Sequence, residues 1–266
     1  METADATDSI EQLRERASRE FWDITDFIWK APHLIDHEAK LEAKKLDAYF
    51  PDESINRSRR KESETRKLEG TFPYMISTGN LFSVISVFET YLLLLAGELQ
   101  VLTGLQIADV KGSRQGINKL FSYFQMCGVP PESVPNHAQI LAAIKIRNCL
   151  MHASGILSWS KDEEDLRRIE RSMLFLPKED RERHRKSMKV EPFVKIVSSS
   201  LGDRIVIQNI YAYYLSSYLR EYFMKLCIEF ISKQISRRTL VSFLKAHHIP
   251  ADCLQQLLKN AGLREK

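Results

Sequence analysis

Three polar side chains with complementary chemistry lie close together at the end of an apolar run, AAIKIRNCLMHASGI: Arg147, Asn148 and His152. In a helix, Asn148 and His152 share a face because they are four residues apart, and a long arginine can reach round from about 140° away. A guanidinium group binds phosphate with a planar fork of donors, and an imidazole moves protons near neutral pH. With an amide to orient them, these groups are suited to cleaving a phosphodiester without a metal ion.

The position of these residues at a helix end also allows a purely structural interpretation. The chain reaches three small residues at 153–155, where we predict that the helix ends. Cationic side chains in the last helical turn often interact with carbonyl groups that lack a helical partner. From spacing alone, Arg147 and His152 therefore fit a helix end as well as a catalytic site.

The motif and its ordered surroundings resemble the HEPN superfamily. The signature of that superfamily is an arginine, a polar residue that is often asparagine, and a histidine after four to six intervening residues; RNCLMH at 147–152 has four. The apolar LAAIKI precedes it, and the upstream NLFSVISVFETYLLLL, with Glu89 inside it, resembles the long first helix of such a bundle. KGSRQGINKLFSYF is similar to the short helix between them, and NIYAYYLSSYLREYFMKLC to the closing helix. The resemblance covers about residues 71–232.

This resemblance implies a four-helix bundle that pairs into a homodimer, with the two Arg-Asn-His sets meeting in a cleft between protomers. Many members of the superfamily are metal-independent endoribonucleases of toxin–antitoxin, phage-defence and RNA-processing systems, and others are binding modules that have lost catalysis. Because both Arg147 and His152 are present, the resemblance favours the active class. It implies RNA and a second copy as partners, an antitoxin or regulatory protein as a further partner, and no cofactor.

Each residue of the motif has a role in such a mechanism. His152 would move a proton, Arg147 would hold the scissile phosphate and stabilise its developing charge, and Asn148 would orient them. The 2′-hydroxyl of the RNA would act as nucleophile, which yields a 2′,3′-cyclic phosphate and a 5′-hydroxyl. The alternative function is a non-catalytic helical module that binds RNA or protein, with the motif serving dimer packing.

The densest basic run of the chain is RERHRKSMK at residues 181–189. Its cations Arg181, Arg183, Arg185 and Lys186 are candidates for contacts with the RNA backbone near the mouth of the cleft. A solvated charged segment that pairs with the acidic run KDEED is the alternative interpretation.

A second pair of histidines has a spacing that can suit a metal ion. His33 and His37 are four residues apart in HLIDHE, with Asp36 between them. A third ligand is not evident, and Pro32 places the first histidine at a predicted helix start. We therefore predict solvated histidines here, and no metal site.

The composition is that of a mildly basic globular protein. Of its 266 residues, 44% are hydrophobic and 28% are charged, and the formal net charge is +4. The hydrophobic fraction allows a sizeable core. The net charge is less positive than is usual for a dedicated nucleic-acid-binding protein. The four cysteines are far apart and the N-terminal stretch lacks the apolar core of a signal peptide, which favours reduced thiols and a cytoplasmic location. The most apolar run contains Glu89 and Glu98, so we predict a buried helix and no membrane span.

The sequence pattern predicts an all-α fold with one small β-hairpin. Polar, proline-marked and charged stretches divide the chain into four parts. These are an N-terminal helical hairpin at 1–50, a charged linker at 51–70, a HEPN-like helical domain at 71–235 and a C-terminal helical tail at 236–266. The domain includes a charged insertion and the β-hairpin at about 160–209.

Apolar spacing predicts the individual helices. They are expected at about 9–30, 34–50, 74–101, 136–151 and 210–235, with a break at Pro32 between the first two. Two β-prone runs around SLGD predict the hairpin and its turn. The tail is expected to form two short helices split at Pro250.

Overall fold

The residues that the structure describes are mainly helical, as predicted, and contain a two-stranded antiparallel hairpin. The computed structural model describes residues 2–50, 54–112, 115–186 and 193–246. The helices are α1 (Glu2–Tyr49), α2 (Ile55–Thr65), α3 (Phe72–Thr103), α4 (Ile117–Met126), α5 (His137–His152), α6 (Glu163–Arg171), α7 (Lys178–Lys186) and α8 (Asn209–Ala246). The strands are β1 (Val194–Ser199) and β2 (Gly202–Ile207), and a π-helical segment, Arg66–Thr71, joins α2 to α3.

The chain divides into two compact units, neither of which is continuous in sequence. The first contains the described residues up to Glu20, Val87–His137 and those from Leu219 onward; the second contains Phe21–Ser86 and Ala138–Tyr218. Helices α1, α3 and α8 each contribute residues to both units. The units therefore do not follow the boundaries predicted at residues 50, 70 and 235, because the longest helices run through both.

Aromatic side chains form much of the core of the first unit. Tyr91 of α3 packs on Phe223 of α8, with ring centroids 5.5 Å apart. Phe124 of α4 meets Phe230 of α8 edge to face at 5.7 Å. All four are buried, and burying a large apolar side chain contributes about 1.5–3 kcal/mol. These four side chains therefore form part of the core of the first unit.

The β-hairpin lies in the second unit and has the predicted turn. Val194 pairs with Ile207 at the base and Ser199 with Gly202 at the tip. Val194 and Ile205 are fully buried, whereas the residues near the tip are exposed. Because side chains alternate between the faces of a strand, the hairpin covers the core with one face and leaves the other partly open.

Proline 32 lies inside α1, so the predicted helix break at this residue is wrong. A proline lacks an N–H group, which leaves the carbonyl four residues earlier without its helical partner. Here Asn209 Nδ2 donates a hydrogen bond to the carbonyl oxygen of Ile28 at 2.8 Å. Asn80 Nδ2 in turn donates to Asn209 Oδ1 at 2.7 Å. The structure therefore replaces the lost helical bond with a side-chain amide, and buried Ile28 and Ala31 hold the helix in place.

A double-mutant cycle tests this replacement. Asn209→Ala should lower the free energy of unfolding by about 1–3 kcal/mol, because it leaves buried polar groups without partners. In a Pro32→Ala background the loss of stability should be smaller. The alanine at position 32 has a backbone N–H group, which can donate to the Ile28 carbonyl oxygen directly. Asn209 is also the first residue of α8. Any effect of its substitution on the start of that helix is the same in both backgrounds and cancels from the coupling free energy. Urea unfolding of the four proteins measures the coupling, and equal costs in both backgrounds would show that Asn209 does not serve the proline.

The prediction of a charged linker at 51–70 is wrong for residues 55–70, which are helical. Ser54 caps α2, since its Oγ accepts a hydrogen bond from the Arg57 amide at 3.2 Å. Glu64 is buried between two cations of the same segment, Arg60 at 3.1 Å and Lys67 at 2.9 Å. Charged side chains three and four residues apart form ion pairs along this helix. A search for apolar periodicity does not detect a helix of this kind.

The prediction of a helical hairpin within residues 1–50 is also wrong, because Glu2–Tyr49 is one helix. The helix that packs against its second half is α2. Arg57 of α2 bonds Asp47 of α1 at 2.7 Å, and Arg60 lies 3.6 Å from Glu42. The order of these pairs makes α2 antiparallel to the second half of α1. The chain therefore reverses after Tyr49 and not at Pro32.

The hydroxyl group of Tyr211 gives a prediction about stability. Tyr211 is fully buried, and its hydroxyl has no hydrogen-bond partner within the described residues. Tyr211→Phe should raise the free energy of unfolding by about 1 kcal/mol, because it removes a buried polar group that is not satisfied. Tyr222→Phe is the matched control: Tyr222 is equally buried, but its hydroxyl donates to the Pro131 carbonyl at 3.2 Å. Thermal unfolding should show opposite shifts, and a destabilised Tyr211→Phe protein would mean that this hydroxyl is satisfied in solution.

The segment from Ile55 to Thr103 is long and apolar enough to cross a membrane by length and composition. Half of its most apolar window is buried within the protein, and core helices of soluble proteins meet the same criteria. The expectation of a buried helix rather than a membrane span stays a prediction. The predicted split of the tail at Pro250 lies outside the described residues, and the first predicted tail helix is continuous with α8 up to Ala246.

Candidate functional site

Helix α5 carries all three residues of the motif in its last two turns. Ile140, Ile144 and Leu150 of α5 are buried in the core. Arg147 and Asn148 are half-buried. The guanidinium Nη1 of Arg147 donates a hydrogen bond to Oδ1 of Asn148 at 2.9 Å. This bond orients two of the three predicted catalytic side chains relative to each other.

His152 is the last residue of α5, and its side chain is exposed to solvent. The preceding Met151 is also exposed, over 48% of its surface. The structure thus brings Arg147 and Asn148 into direct contact and places His152 four residues beyond Asn148 at the open end of the helix. An exposed imidazole at this position is accessible to a substrate or to a second protein chain.

A tight turn ends α5 immediately after the motif. Ser154 and Gly155 have positive φ values of 51° and 80°, and the amides of Ala153 and Gly155 both donate to the carbonyl of Cys149. A Cβ atom at Gly155 would lie 3.0 Å from the carbonyl oxygen of Ile205. The predicted helix end is therefore confirmed, and glycine is required both by the backbone conformation and by the close approach of β2.

The β-hairpin fixes this turn in space. The Ile205 amide of β2 donates to the Gly155 carbonyl at 2.8 Å, and Ile156 forms an isolated antiparallel bridge with Arg204. Cys149, in the last turn of α5, is buried against the same turn, and burial raises the pKa of its thiol. A buried thiol with a raised pKa is a packing group and a poor nucleophile.

Lys145 joins the middle of α5 to the start of α6. Its Nζ donates to Asp162 Oδ1 at 3.1 Å and also to Asp165. Partial burial opposes the charged form of Lys145, but the two carboxylates outweigh it and raise the pKa of the amine. The lysine in turn holds the pKa of Asp165 below its usual value. Lys145 is therefore a structural cation and is not available to a substrate.

Arg204 and Tyr74 lie beside the end of α5 and were not predicted as site residues. Arg204 Nη2 donates to the Tyr74 hydroxyl at 2.9 Å, and its guanidinium carbon lies 5.0 Å from the centre of the Tyr74 ring. The Cγ of Arg204 would be 3.2 Å from a Cβ atom at Gly155, so this side chain passes directly under the turn that follows the motif. No spacing rule connects two residues 130 positions apart, and only the folded hairpin brings them together.

The four predicted RNA-backbone cations do not form a single free patch. They lie on α7, where Arg181 is half-buried and its Nη1 donates to the Ser172 carbonyl at 3.4 Å. Arg183 pairs with Asp180 at 3.2 Å, while Arg185 and Lys186 are exposed. Arg183 is exposed as well, so Arg183, Arg185 and Lys186 are the cations whose exposure suits contact with an anionic partner.

The histidine pair of α1 does not form part of a metal cluster. His33 and His37 are exposed, and the ring of His33 lies edge to face with Trp29 at 6.3 Å. Within residues 2–50, 54–112, 115–186 and 193–246, no group of three or more histidine, cysteine or acidic side chains is placed to hold a metal ion.

The motif, the glycine turn after it and the Arg204–Tyr74 pair make up the candidate site. Comparison of the chain with models of protein families, with curated proteins and with solved structures gives no match.

Proposed function

We propose that the protein is a metal-independent endoribonuclease that acts as a homodimer, with Arg147, Asn148 and His152 as its catalytic residues. The observation that carries this proposal is the arrangement at the end of α5. Arg147 and Asn148 are hydrogen-bonded to each other, and His152 is exposed one turn further along the same helix. The resemblance to the HEPN superfamily supplies the reaction class and suggests a toxin–antitoxin or phage-defence context.

The bond between Arg147 and Asn148 supports a phosphate-binding role for the arginine. An arginine side chain has many rotamers, and ordering it costs up to about 2 kcal/mol. A hydrogen bond to the neighbouring amide limits these rotamers. A fork of donors held in one plane suits a phosphate whose oxygens gain charge in the transition state.

In the proposed reaction, the 2′-oxygen of the RNA attacks the adjacent phosphorus atom and loses its proton. The bond from phosphorus to the 5′-oxygen breaks, and that oxygen receives a proton. The products are a 2′,3′-cyclic phosphate and a 5′-hydroxyl, and no atom of the protein is consumed. Proton transfer at both oxygens requires a base and an acid, which the imidazoles of His152 from two protomers can supply.

The exposed end of α5 supports a composite site. A single copy provides one exposed imidazole beside the apolar surface of Met151. A second copy placed against this end would cover the apolar surface and add a second imidazole. Arg183, Arg185 and Lys186 remain candidates for contact with the RNA backbone, since all three are exposed.

A heterodimer with one intact motif tests the composite site. We expect that a heterodimer of the natural chain with an Arg147→Ala, His152→Ala chain, isolated with two affinity tags, cleaves RNA far more slowly than half the rate of the natural dimer. Two independent sites would give half the rate. Proteins that bind RNA but leave every substrate intact would favour the non-catalytic binding module, which is the alternative function.

A further inference from the structure

An exposed tryptophan follows the motif at the surface of the second unit. Trp159 closes a short 3₁₀ turn, Leu157–Trp159, and 62% of its surface is exposed. Exposing an indole ring to water is unfavourable, because its large apolar area could be buried. A tryptophan that a folded loop holds outward is therefore a candidate contact residue.

The backbone that carries Trp159 is firmly anchored. The neighbouring Ile156 and Leu157 are buried, and the Trp159 amide donates to the Ile156 carbonyl at 3.3 Å. The next amide, that of Ser160, donates to the Leu157 carbonyl at 2.9 Å. The backbone at Trp159 is thus held by buried neighbours on its N-terminal side and by the two hydrogen bonds of the turn.

The same backbone is tied to the end of α5 and to the β-hairpin. Gly155 and Ile156 pair with β2, and a Cβ atom at Gly202 of the hairpin would lie 4.0 Å from Ser158 Oγ. Trp159 lies seven positions after His152, and most of the six residues between them are held by these contacts. The indole and the exposed imidazole are therefore carried by one anchored segment at the end of α5.

Ion pairs neutralise most of the acidic run that follows Trp159. Asp162 and Asp165 pair with Lys145, and Glu163 pairs with Arg167 at 2.8 Å. Glu164 is the exposed carboxylate of this run, and Lys161 at the start of the run is also exposed. The acidic run that follows Trp159 therefore has little net charge and repels an anionic strand only weakly.

We propose that Trp159 is a stacking platform for an unpaired base of the RNA, and that the substrate is single-stranded at this position. The inference rests on the proposed function. An exposed ring on an anchored backbone suits a base that has left its own stack, whereas the bases of an RNA helix are already stacked. Stacking is tolerant of sequence because every base has a π-face, so this contact selects for strand state more than for sequence. It depends weakly on salt, unlike contacts with phosphate.

The test measures binding of fluorescein-labelled decamers of adenylate to His152→Ala protein, which should not cleave them. Adding Trp159→Ala should weaken binding by about 5- to 150-fold, the range that one stacked base provides. Trp159→Phe should restore most of the affinity, because it keeps an aromatic ring. Trp22→Ala is the matched control, since Trp22 of α1 is exposed to a similar extent, 59%, but is distant in sequence from the motif. A blunt duplex of the same length should bind weakly to all variants.

Each other outcome has a separate meaning. Unchanged affinity of the Trp159→Ala variant, with RNA still cleaved by the natural protein, would overturn the stacking proposal and leave the ribonuclease proposal standing. A Trp159→Ala protein whose mass in sedimentation falls to that of a monomer would show that Trp159 contacts the second subunit, which also overturns stacking. A natural protein that neither binds nor cleaves RNA would overturn both proposals.

Discussion

Replacing His152 or Arg147 by alanine should lower the rate of RNA cleavage by about 10²- to 10⁴-fold. Removing a positioned proton-transfer group has an effect of this size, and so does removing a donor that stabilises charge in the transition state. His152 is exposed and Arg147 is half-buried at the surface, so neither substitution should disturb the core. The measurement is the initial rate on single-stranded RNA, with helicity and mass confirmed for each variant.

Two controls separate catalysis from packing at the same helix end. Arg147→Lys should not restore activity, because an ammonium group does not reproduce the planar fork of donors proposed to hold the phosphate. Cys149→Ser, whose side chain is buried beside Ile156, should keep activity if the protein folds. If Cys149→Ser lost as much activity as His152→Ala, the motif would be a structural element of the helix end.

Replacing Gly155 by alanine should lower the free energy of unfolding by about 2–5 kcal/mol. The positive φ of 80° disfavours any residue with a Cβ atom, and that atom would meet the backbone oxygen of Ile205 at 3.0 Å. A backbone atom cannot move aside as a flexible side chain can, so the turn and β2 would have to separate. Chemical denaturation measures the loss.

Gly112 provides the matched control for the turn. It has a φ of 103°, but a Cβ atom there would have open space around it. Gly112→Ala should therefore show the effect of backbone conformation alone, about 1–2 kcal/mol. If the two alanine variants were equally stable, the hairpin would not be held against the end of α5 as closely as described.

The parts of the fold that local sequence determines could be predicted. The β-prone runs around SLGD give the hairpin, since a turn and its flanking strands are close in sequence. The small residues after His152 give the end of α5, because glycine at 155 permits the positive φ that stops a helix there. The candidate catalytic residues share this property, as all three lie within six positions of one helix.

The parts that depend on distant contacts could not be predicted. Pro32 lies within a helix because Asn209, far along the chain, bonds the carbonyl that the proline leaves free. The charged segment at 55–70 is helical because its charged side chains form ion pairs with each other and with side chains of α1. Arg204 reaches the end of α5 only through the pairing of β2 with the turn at Gly155. Composition and periodicity record none of these contacts.

The end groups of RNA treated with the natural protein test the proposed function most directly. The RNA is incubated in excess EDTA with the natural protein or with the His152→Ala variant, and the fragment ends are identified by mass spectrometry. We expect fragments with 2′,3′-cyclic phosphate and 5′-hydroxyl ends from the natural protein, and intact RNA from the variant. Cleavage that requires a divalent cation, fragments with 5′-phosphate ends, or equal cleavage by the His152→Ala protein would contradict the assignment of the reaction to this site.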